Sequence, residues 1–171
     1  MQINLYKQKF QEYFDAPDLE QKIREAVNLI GPAKRVIFIG NGGSNAICSH
    51  MMEDYMKIAS KQTLSFTDPA LITCFANDYG YENALQEWIG FNYQEGDVLV
   101  AISSSGESKN ILNGVNKHRQ LGGTVITLSG FELNNSLSDN GDVNFVVPEK
   151  NYGIVECFHQ VILHAILDEL V

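Results

Sequence analysis

The chain has 171 residues, 44% of them hydrophobic and 19% charged, a composition typical of one globular domain with its own core. Its 21 acidic residues outnumber 12 basic ones, the formal net charge is −9, and no basic cluster interrupts the acidity. This balance argues against a nucleic-acid partner or an anionic membrane surface and favours a small-molecule or protein partner. No segment reaches the roughly 18 apolar residues of a membrane span, and the first residues lack the apolar core of a signal peptide, so we expect a cytoplasmic protein. Its three dispersed cysteines, Cys48, Cys74 and Cys157, are then expected to be reduced thiols in the core.

The first 31 residues predict two helices. Apolar residues recur at spacings of three and four from Ile3 to Phe14, and again from Leu19 to Ile30. Residues 16–18 separate the two runs, and Asp18 is a candidate N-cap for the second. We expect this extension to pack on the core or against a neighbouring subunit.

Short apolar runs then alternate with helical patterns. Strands are predicted at residues 35–40, 98–102, 124–128 and 143–147, with a fifth at either 63–66 or 71–75. Helices are predicted at about 44–59, 81–92, 107–121 and 154–170. Such an alternation predicts an α/β fold, a three-layer sandwich in which helices cover both faces of a doubly wound parallel sheet. We expect one domain over residues 1–171.

Two polar loops follow predicted strands, where open α/β sheets bind their ligands. Gly40-Asn41-Gly42-Gly43-Ser44 allows a tight turn and a close approach of a ligand to the backbone, but it also fits a plain turn with Ser44 as a cap. The serine loop, residues 103–108 (Ser-Ser-Ser-Gly-Glu-Ser), offers four hydroxyls at the start of a helix. That arrangement suits a phosphate, although one serine would suffice as an N-cap.

Titratable side chains form two further pairs on predicted helices. His50 and Asp54 are four residues apart and share a face, and Glu156 and His164, eight apart, roughly do so in an otherwise apolar helix. Such pairs are a weak signal for a metal site or an acid/base pair. His118, between Lys117 and Arg119, is expected on a solvated helix face.

The motifs occur in this order: the glycine loop (residues 40–44), His50, residues 77–80 (Asn-Asp-Tyr-Gly), the serine loop, and the last helix with His164. In this combination they resemble the phosphoheptose isomerases of the SIS-domain superfamily. The resemblance extends over residues 20–170. It implies a flavodoxin-like sandwich, usually a homotetramer with active sites between subunits. It also implies isomerisation of sedoheptulose 7-phosphate to D-glycero-D-manno-heptose 7-phosphate through an enediol.

The resemblance assigns a role to each motif residue. Asp54 would be the general base and His164 its acid/base partner. A zinc ion, present in some members, would be held once per subunit by His50, Asp54, Glu156 and His164, and no organic cofactor is implied. The sugar phosphate would be bound by Asn41, Gly42, Ser44, Asp78, Ser103, Ser104, Ser105 and Ser108.

Several positions depart from the family pattern. Asp54 stands where the family has Glu, and Glu156 stands where it has Gln. The Arg that usually follows the base is missing. The Asp and Arg that usually precede the last motif are missing as well. The alternative function is therefore a binding protein without catalysis, since the superfamily includes sugar-phosphate sensors and a relative that associates with the bacterial replication initiator. The retained His50, His164 and a carboxylate at position 54 favour catalysis.

Overall fold

The computed structural model describes residues 2–171, which form seven helices and five strands. The helices are α1 (Gln2–Phe14), α2 (Leu19–Ile30), α3 (Gly43–Lys57), α4 (Pro69–Tyr79), α5 (Tyr81–Asn92), α6 (Lys109–Gln120) and α7 (Tyr152–Asp168). The strands are β1 (Arg35–Ile39), β2 (Gln62–Ser65), β3 (Asp97–Ser103), β4 (Thr124–Gly130) and β5 (Val143–Val147).

The five strands form one parallel sheet in the order β2-β1-β3-β4-β5. β1 and β3 are neighbours in register, with Val36 opposite Val98 and Ile39 opposite Ala101. The chain reverses its direction across the sheet at these two strands, because β2 lies beyond β1 and β4 beyond β3. Their carboxyl ends are therefore a topological switch point, the usual ligand position in this fold class. The predicted doubly wound sandwich is confirmed.

Alternating strand residues build a core on each face of the sheet. Val36 and Phe38 face α2, α3 and α7, whereas Ile37 and Ile39 face α5 and α6. Each of these four side chains is fully buried. Burial on both faces explains why the strands read as continuous apolar runs.

The two N-terminal helices differ in how they join this core. α2 buries Ala26 and Ile30, whereas α1 has no buried residue and touches α7 mainly through aromatic rings, as where Phe10 meets Phe158 at 5.4 Å between centroids. Asp18 does not cap α2 with its side chain, contrary to the prediction, and instead pairs with Lys22 at 2.7 Å.

The structure decides between the two positions for the fifth strand. The strand is Gln62–Ser65, so the prediction at 63–66 is confirmed and the one at 71–75 is wrong, because those residues lie in α4. Asp68 caps this helix by accepting from the N–H groups of Ala70 and Leu71, and Pro69 occupies its first turn. These start signals outweigh the β-like character of Leu-Ile-Thr-Cys-Phe.

Two side-chain environments also differ from expectation. His118 is fully buried rather than solvated, because its ring packs edge-on against Tyr93 and lies over Gly123, where a Cβ would clash with it. Of the three free cysteines only Cys48 is buried, whereas Cys74 and Cys157 are exposed on α4 and α7. Among residues 2–171, no helix has both the length and the apolar character needed to cross a membrane.

Candidate functional site

The glycine loop after β1 requires glycine at two positions, one because of its backbone conformation and one because of close packing. Gly42 has φ of +54°, in the left-handed region that favours glycine, and it precedes the first residue of α3. A Cβ on Gly40 would lie 2.8 Å from the carbonyl carbon and oxygen of Ser44. The loop therefore turns tightly enough to present Asn41 and Ser44 to the same space.

A cavity of about 140 Å³, the serine pocket, lies between the glycine loop, the serine loop and the start of α7. Ser108 is the N-cap residue of α6, yet its side chain makes no capping hydrogen bond. Its Oγ instead lies 3.2 Å from that of Ser103. The hydroxyls of Ser103 and Ser108 thus line the pocket rather than cap the helix, although Ser105 Oγ accepts from the N–H of Glu107 at 3.2 Å. The first two favour the anion-site interpretation over simple capping. The pocket is lined by Asn41, Ser44, Ile102, Ser103, Ser104, Ser105, Ser108, Tyr152 and Glu156.

The serine loop is fixed from behind by the segment between β4 and β5. The Glu107 carboxylate accepts hydrogen bonds from the backbone N–H of Ser136 at 2.7 Å and from its hydroxyl at 2.6 Å, and these bonds lower the pKa of Glu107. Gly106 has φ of +69°, and a Cβ there would overlap the side chain of Asn135. The loop is therefore preorganised, which reduces the entropy cost of ordering it around a ligand.

Asn41 is held in place by two residues that the sequence analysis did not identify. Tyr81 donates its hydroxyl to Asn41 Oδ1 at 2.8 Å, and Asn41 Nδ2 donates to Asn110 Oδ1 at 2.9 Å. Their signal in the sequence is only positional, since Tyr81 directly follows Asn77-Asp78-Tyr79-Gly80 and Asn110 lies in the first turn after the serine loop. Tyr152, in the wall of the serine pocket, was missed as well.

Farther along the same helices, α3 and α7 bring three titratable side chains together. Asp54 Oδ2 lies 3.3 Å from His50 Nε2 and 4.0 Å from His164 Nδ1. The two imidazole rings meet edge-on at 5.4 Å between centroids. Asp54 is buried, and both histidines are partly open to solvent. The arrangement can exchange protons between a carboxylate and an imidazole.

Gln160 fixes the orientation of His164. Its Nε2 lies 3.0 Å from His164 Nε2 and can donate to it, while it also contacts Met51 Sδ on α3. When Nε2 of a neutral imidazole accepts, the proton resides on Nδ1, and here Nδ1 faces Asp54. His164 then presents an N–H toward the carboxylate.

The structure brings together three of the four ligands that the family resemblance implied. Glu156 is not part of the group formed by His50, Asp54 and His164, whose ligand atoms lie within 4.8 Å of one another. Its carboxylate lies against Gly43 at the start of α3, in the wall of the serine pocket. Asp78 is exposed on α4, where it accepts from Asn77 Nδ2 at 2.9 Å, and it is not part of the serine-pocket wall.

The group of three fits a zinc ion in its chemistry. Two imidazole nitrogens and one carboxylate oxygen are a common donor set for zinc, with a fourth position left for water or substrate. The carboxylate is buried and the imidazoles are reachable from solvent, so an ion has a path to the group. The residues present therefore suit such an ion without Glu156.

Comparison with known proteins first defines the class of the chain. The family model of the SIS domain matches residues 5–130, most of the sheet and both loops. A phosphoheptose isomerase from Fusobacterium nucleatum is 30% identical over 172 residues, which cover 98% of this chain and 88% of that protein. The chain therefore belongs to the phosphoheptose isomerase family of SIS domain proteins.

Solved structures agree with this assignment at the level of the fold. A phosphoheptose isomerase from Francisella tularensis has a TM-score of 0.88 at 26% identity, with 98% of this chain and 93% of that chain covered. Another from Neisseria gonorrhoeae also has a TM-score of 0.88, at 24% identity, covering 99% and 96% of the two chains. The similarity includes the N-terminal helices as well as the sheet.

Proposed function

We propose that this protein is a sugar-phosphate aldose–ketose isomerase that converts sedoheptulose 7-phosphate into D-glycero-D-manno-heptose 7-phosphate. The observation that carries the proposal is the placement of Asp54 and His164 on α3 and α7, the same two helices whose first turns border the serine pocket. The first turns of both helices border the serine pocket, which suits a phosphate. Their later turns carry Asp54 and His164, which suit proton transfer. Membership of the phosphoheptose isomerase family supports the choice of substrate.

In this proposal the phosphate is bound by neutral donors. Ser103, Ser104, Ser105 and Ser108 supply hydroxyls, and the start of α6 supplies free backbone N–H groups and the positive end of the helix dipole. Asn41, Gly42 and Ser44 then contact the adjoining carbons from the other side. A strongly acidic chain can bind an anion in this way because the local donors, not the net charge, determine the affinity.

Asp54 is the proposed base of the isomerisation. It removes a proton from the carbon beside the ketose carbonyl and returns it to the former carbonyl carbon, so the atoms of substrate and product balance. His164, with its Nδ1–H toward Asp54, donates a proton to one oxygen of the enediol and takes one from the other. Positioned acid/base groups of this kind contribute roughly 10²–10⁴-fold to a rate.

A zinc ion is proposed as an alternative state of the same group, in which His50, Asp54 and a His164 deprotonated at Nδ1 would hold it. Such an ion would supply Lewis-acid polarisation of a carbonyl oxygen. The role of Glu156 as a fourth ligand stays a prediction, because the two residues are about two helical turns apart, roughly 12 Å along α7, and Glu156 is not part of the group of three.

The distance along α7 between the serine pocket and the group of His50, Asp54 and His164 favours a homotetramer with active sites between subunits. A second copy would bring its acid/base group toward the serine pocket of the first. α4 supports such an interface, since it is rich in apolar residues but none of them is buried. The aromatic side chains of Tyr79, at the end of α4, and of Phe91, on the neighbouring α5, are 41% and 72% exposed. A further copy of the chain is the occupant we propose for this face.

The direct test is incubation of the purified protein with sedoheptulose 7-phosphate, followed by NMR detection of the aldose. We expect turnover by the wild type with zinc supplied, and none by Ser105→Ala/Ser108→Ala. A protein that binds the sugar phosphate tightly but turns over none, with or without zinc, would instead be a binding protein.

A further inference from the structure

We propose that Tyr81 is a positioning residue of the substrate site, whose hydroxyl holds the Asn41 amide with one N–H available to the serine pocket and thereby favours sugar phosphates over inorganic phosphate. The helix break at Gly80, the last residue of Asn77-Asp78-Tyr79-Gly80, places that hydroxyl. The inference rests on the proposed function for the contact between Asn41 and the sugar. It also gives a structural reason for the glycine of that motif.

The first argument is the hydrogen bonding of the Asn41 side chain. Its Oδ1 accepts from the Tyr81 hydroxyl and from Asn110 Nδ2, each at 2.8 Å, while its own Nδ2 donates to Asn110 Oδ1 at 2.9 Å. A carboxamide has two acceptor lone pairs and two N–H donors. Both lone pairs are thus occupied, and one N–H has no acceptor within residues 2–171. Asn41, in the wall of the serine pocket, therefore has a single donor to offer to an oxygen of the substrate.

The second argument is that the pair formed by Asn41 and Asn110 does not determine this orientation by itself. Each amide donates one hydrogen bond to the other and accepts one, so exchanging nitrogen and oxygen in both side chains gives an equivalent pair. The Tyr81 hydroxyl removes the equivalence, because a phenol is a better donor than acceptor and favours the oxygen of Asn41. Without it, Asn41 would present a carbonyl oxygen as readily as an N–H.

The third argument is the space around Asn41. Besides the serine pocket, Asn41 borders a second cavity of about 140 Å³, between the glycine loop, α4 and α5, whose wall includes Tyr81 and Asn110. The hydrogen bonds hold the amide between the two cavities. An amide released from Tyr81 has room to turn into the second cavity, away from the serine loop. The bond from Tyr81 therefore preorganises Asn41, which reduces the entropy lost when a ligand binds.

The position of Tyr81 depends on the backbone of Gly80. α4 ends at Tyr79 and α5 begins at Tyr81, so a single residue separates the two helices. Gly80 has φ of +77° and ψ of 148°, a conformation nearly confined to glycine. The first turn of α5 is also tied to α6, because Asn113 Nδ2 donates to the carbonyl of Glu82 at 3.0 Å. The hydroxyl therefore has a defined position although Tyr81 is 54% exposed.

The test compares Tyr81→Phe with the wild type by calorimetric titration with sedoheptulose 7-phosphate and with inorganic phosphate. The substitution removes only the hydroxyl of an exposed ring. We expect the Kd for the sugar phosphate to rise roughly fivefold, as for the loss of one hydrogen bond, and the Kd for inorganic phosphate to stay within about twofold. Equal changes in both Kd values would overturn the proposal. Tyr13→Phe is the matched control, since its hydroxyl has no partner in the described part of the chain, and it should leave both values unchanged.

A double-mutant cycle separates positioning from a merely structural role. In the Asn41→Ala background, Tyr81→Phe should have no further effect on the Kd for the sugar phosphate, because the hydroxyl acts through Asn41. A loss of the same size in both backgrounds would contradict this.

Gly80→Ala tests the helix break. A Cβ there would have no neighbour within 4 Å among the described residues, so the substitution changes only the backbone conformation. It should weaken binding of the sugar phosphate as Tyr81→Phe does and add little to that variant. Full additivity of the two losses would overturn the role of Gly80.

A measurement without ligand keeps the outcome separate from that of the proposed function. Side-chain ¹⁵N relaxation reports how firmly the Asn41 amide is held in the free protein. Its order parameter should fall in Tyr81→Phe and not in Tyr13→Phe, and an unchanged value in Tyr81→Phe overturns the proposal even where turnover is intact. If sedoheptulose 7-phosphate is neither bound nor converted, the titrations and the cycle are repeated with fructose 6-phosphate. Coupling between Tyr81 and Asn41 with that ligand supports the role of Tyr81 although the heptulose assignment fails.

Discussion

Asp54 Oδ2 lies 3.3 Å from Nε2 of His50, its neighbour one turn earlier on α3. The same oxygen faces Nδ1 of His164 across the groove at 4.0 Å. One buried carboxylate oxygen is thus shared by two imidazoles from different helices. Because the aspartate side chain has a single methylene group, this oxygen stays close to the backbone of α3.

Asp54→Asn should abolish isomerisation. The amide keeps the size of the side chain but cannot take up a proton from carbon, so we expect the kcat for sedoheptulose 7-phosphate to fall by at least about 10²-fold. His164→Ala should have a comparable effect. Product formation followed by NMR measures both, and Glu53→Gln, on the exposed side of α3, is the matched control. Retention of more than a tenth of the wild-type kcat in Asp54→Asn would exclude Asp54 as the base.

Zinc should raise the thermal stability of the wild type and not that of His50→Ala. A ligand that binds only the folded state at about 100 times its Kd stabilises it by about 2.7 kcal/mol. Melting temperatures with and without zinc, together with the metal content after dialysis, measure the effect independently of activity. Glu53→Gln should behave as the wild type. An equal response from His50→Ala would mean that the ion binds elsewhere.

Asp97→Asn should destabilise the fold without touching the site. At the opposite end of the sheet Arg35 donates to both carboxylate oxygens of Asp97, with Nη2 at 2.6 Å from Oδ2, and this pairing raises the pKa of Arg35. The Arg35 side chain is only 11% exposed, so the substitution leaves a largely desolvated guanidinium without its charged partner and with only the Asn92 carbonyl as a further acceptor. We expect a loss of about 3 kcal/mol in urea unfolding. Asp142→Asn, which breaks a solvent-exposed pair with Arg119 but keeps a side-chain oxygen that can accept from the N–H of Val125, should cost less than about 1 kcal/mol.

The sequence predicted the sheet and the two loops that border the serine pocket because both depend on local patterns. Apolar runs such as residues 98–102 and the serine loop after them carry their structure in adjacent residues. Local sequence patterns did not predict the burial of His118 or the position of the Glu156 side chain. His118 is buried by Tyr93 and Gly123, and Glu156 is positioned by Gly43 on another helix. Such contacts join segments far apart in the chain and leave no periodic signal.

His159 should make the stability of the protein fall as the solution is acidified below about pH 6.5. The side chain is fully buried beneath β4, where Nε2 donates to the carbonyl of Ser129 at 2.9 Å and Nδ1 has no partner among residues 2–171. Burial lowers its pKa from 6.5 to about 4. Between these values the unfolded chain takes up a proton that the folded chain does not, so acidification favours unfolding.

His159→Gln removes this titration and can keep a donor for the Ser129 carbonyl. From pH 7.5 to 5 the wild type should lose about 2 kcal/mol more stability than the variant, as measured by urea unfolding at both pH values. His118, whose pKa is also lowered by burial, is present in both proteins and cancels in the comparison. Carboxylates with lowered pKa values, such as Glu107, contribute mainly below this range. Parallel pH profiles for the two proteins would show that His159 titrates normally in the folded state, and the burial argument for this residue would then fail.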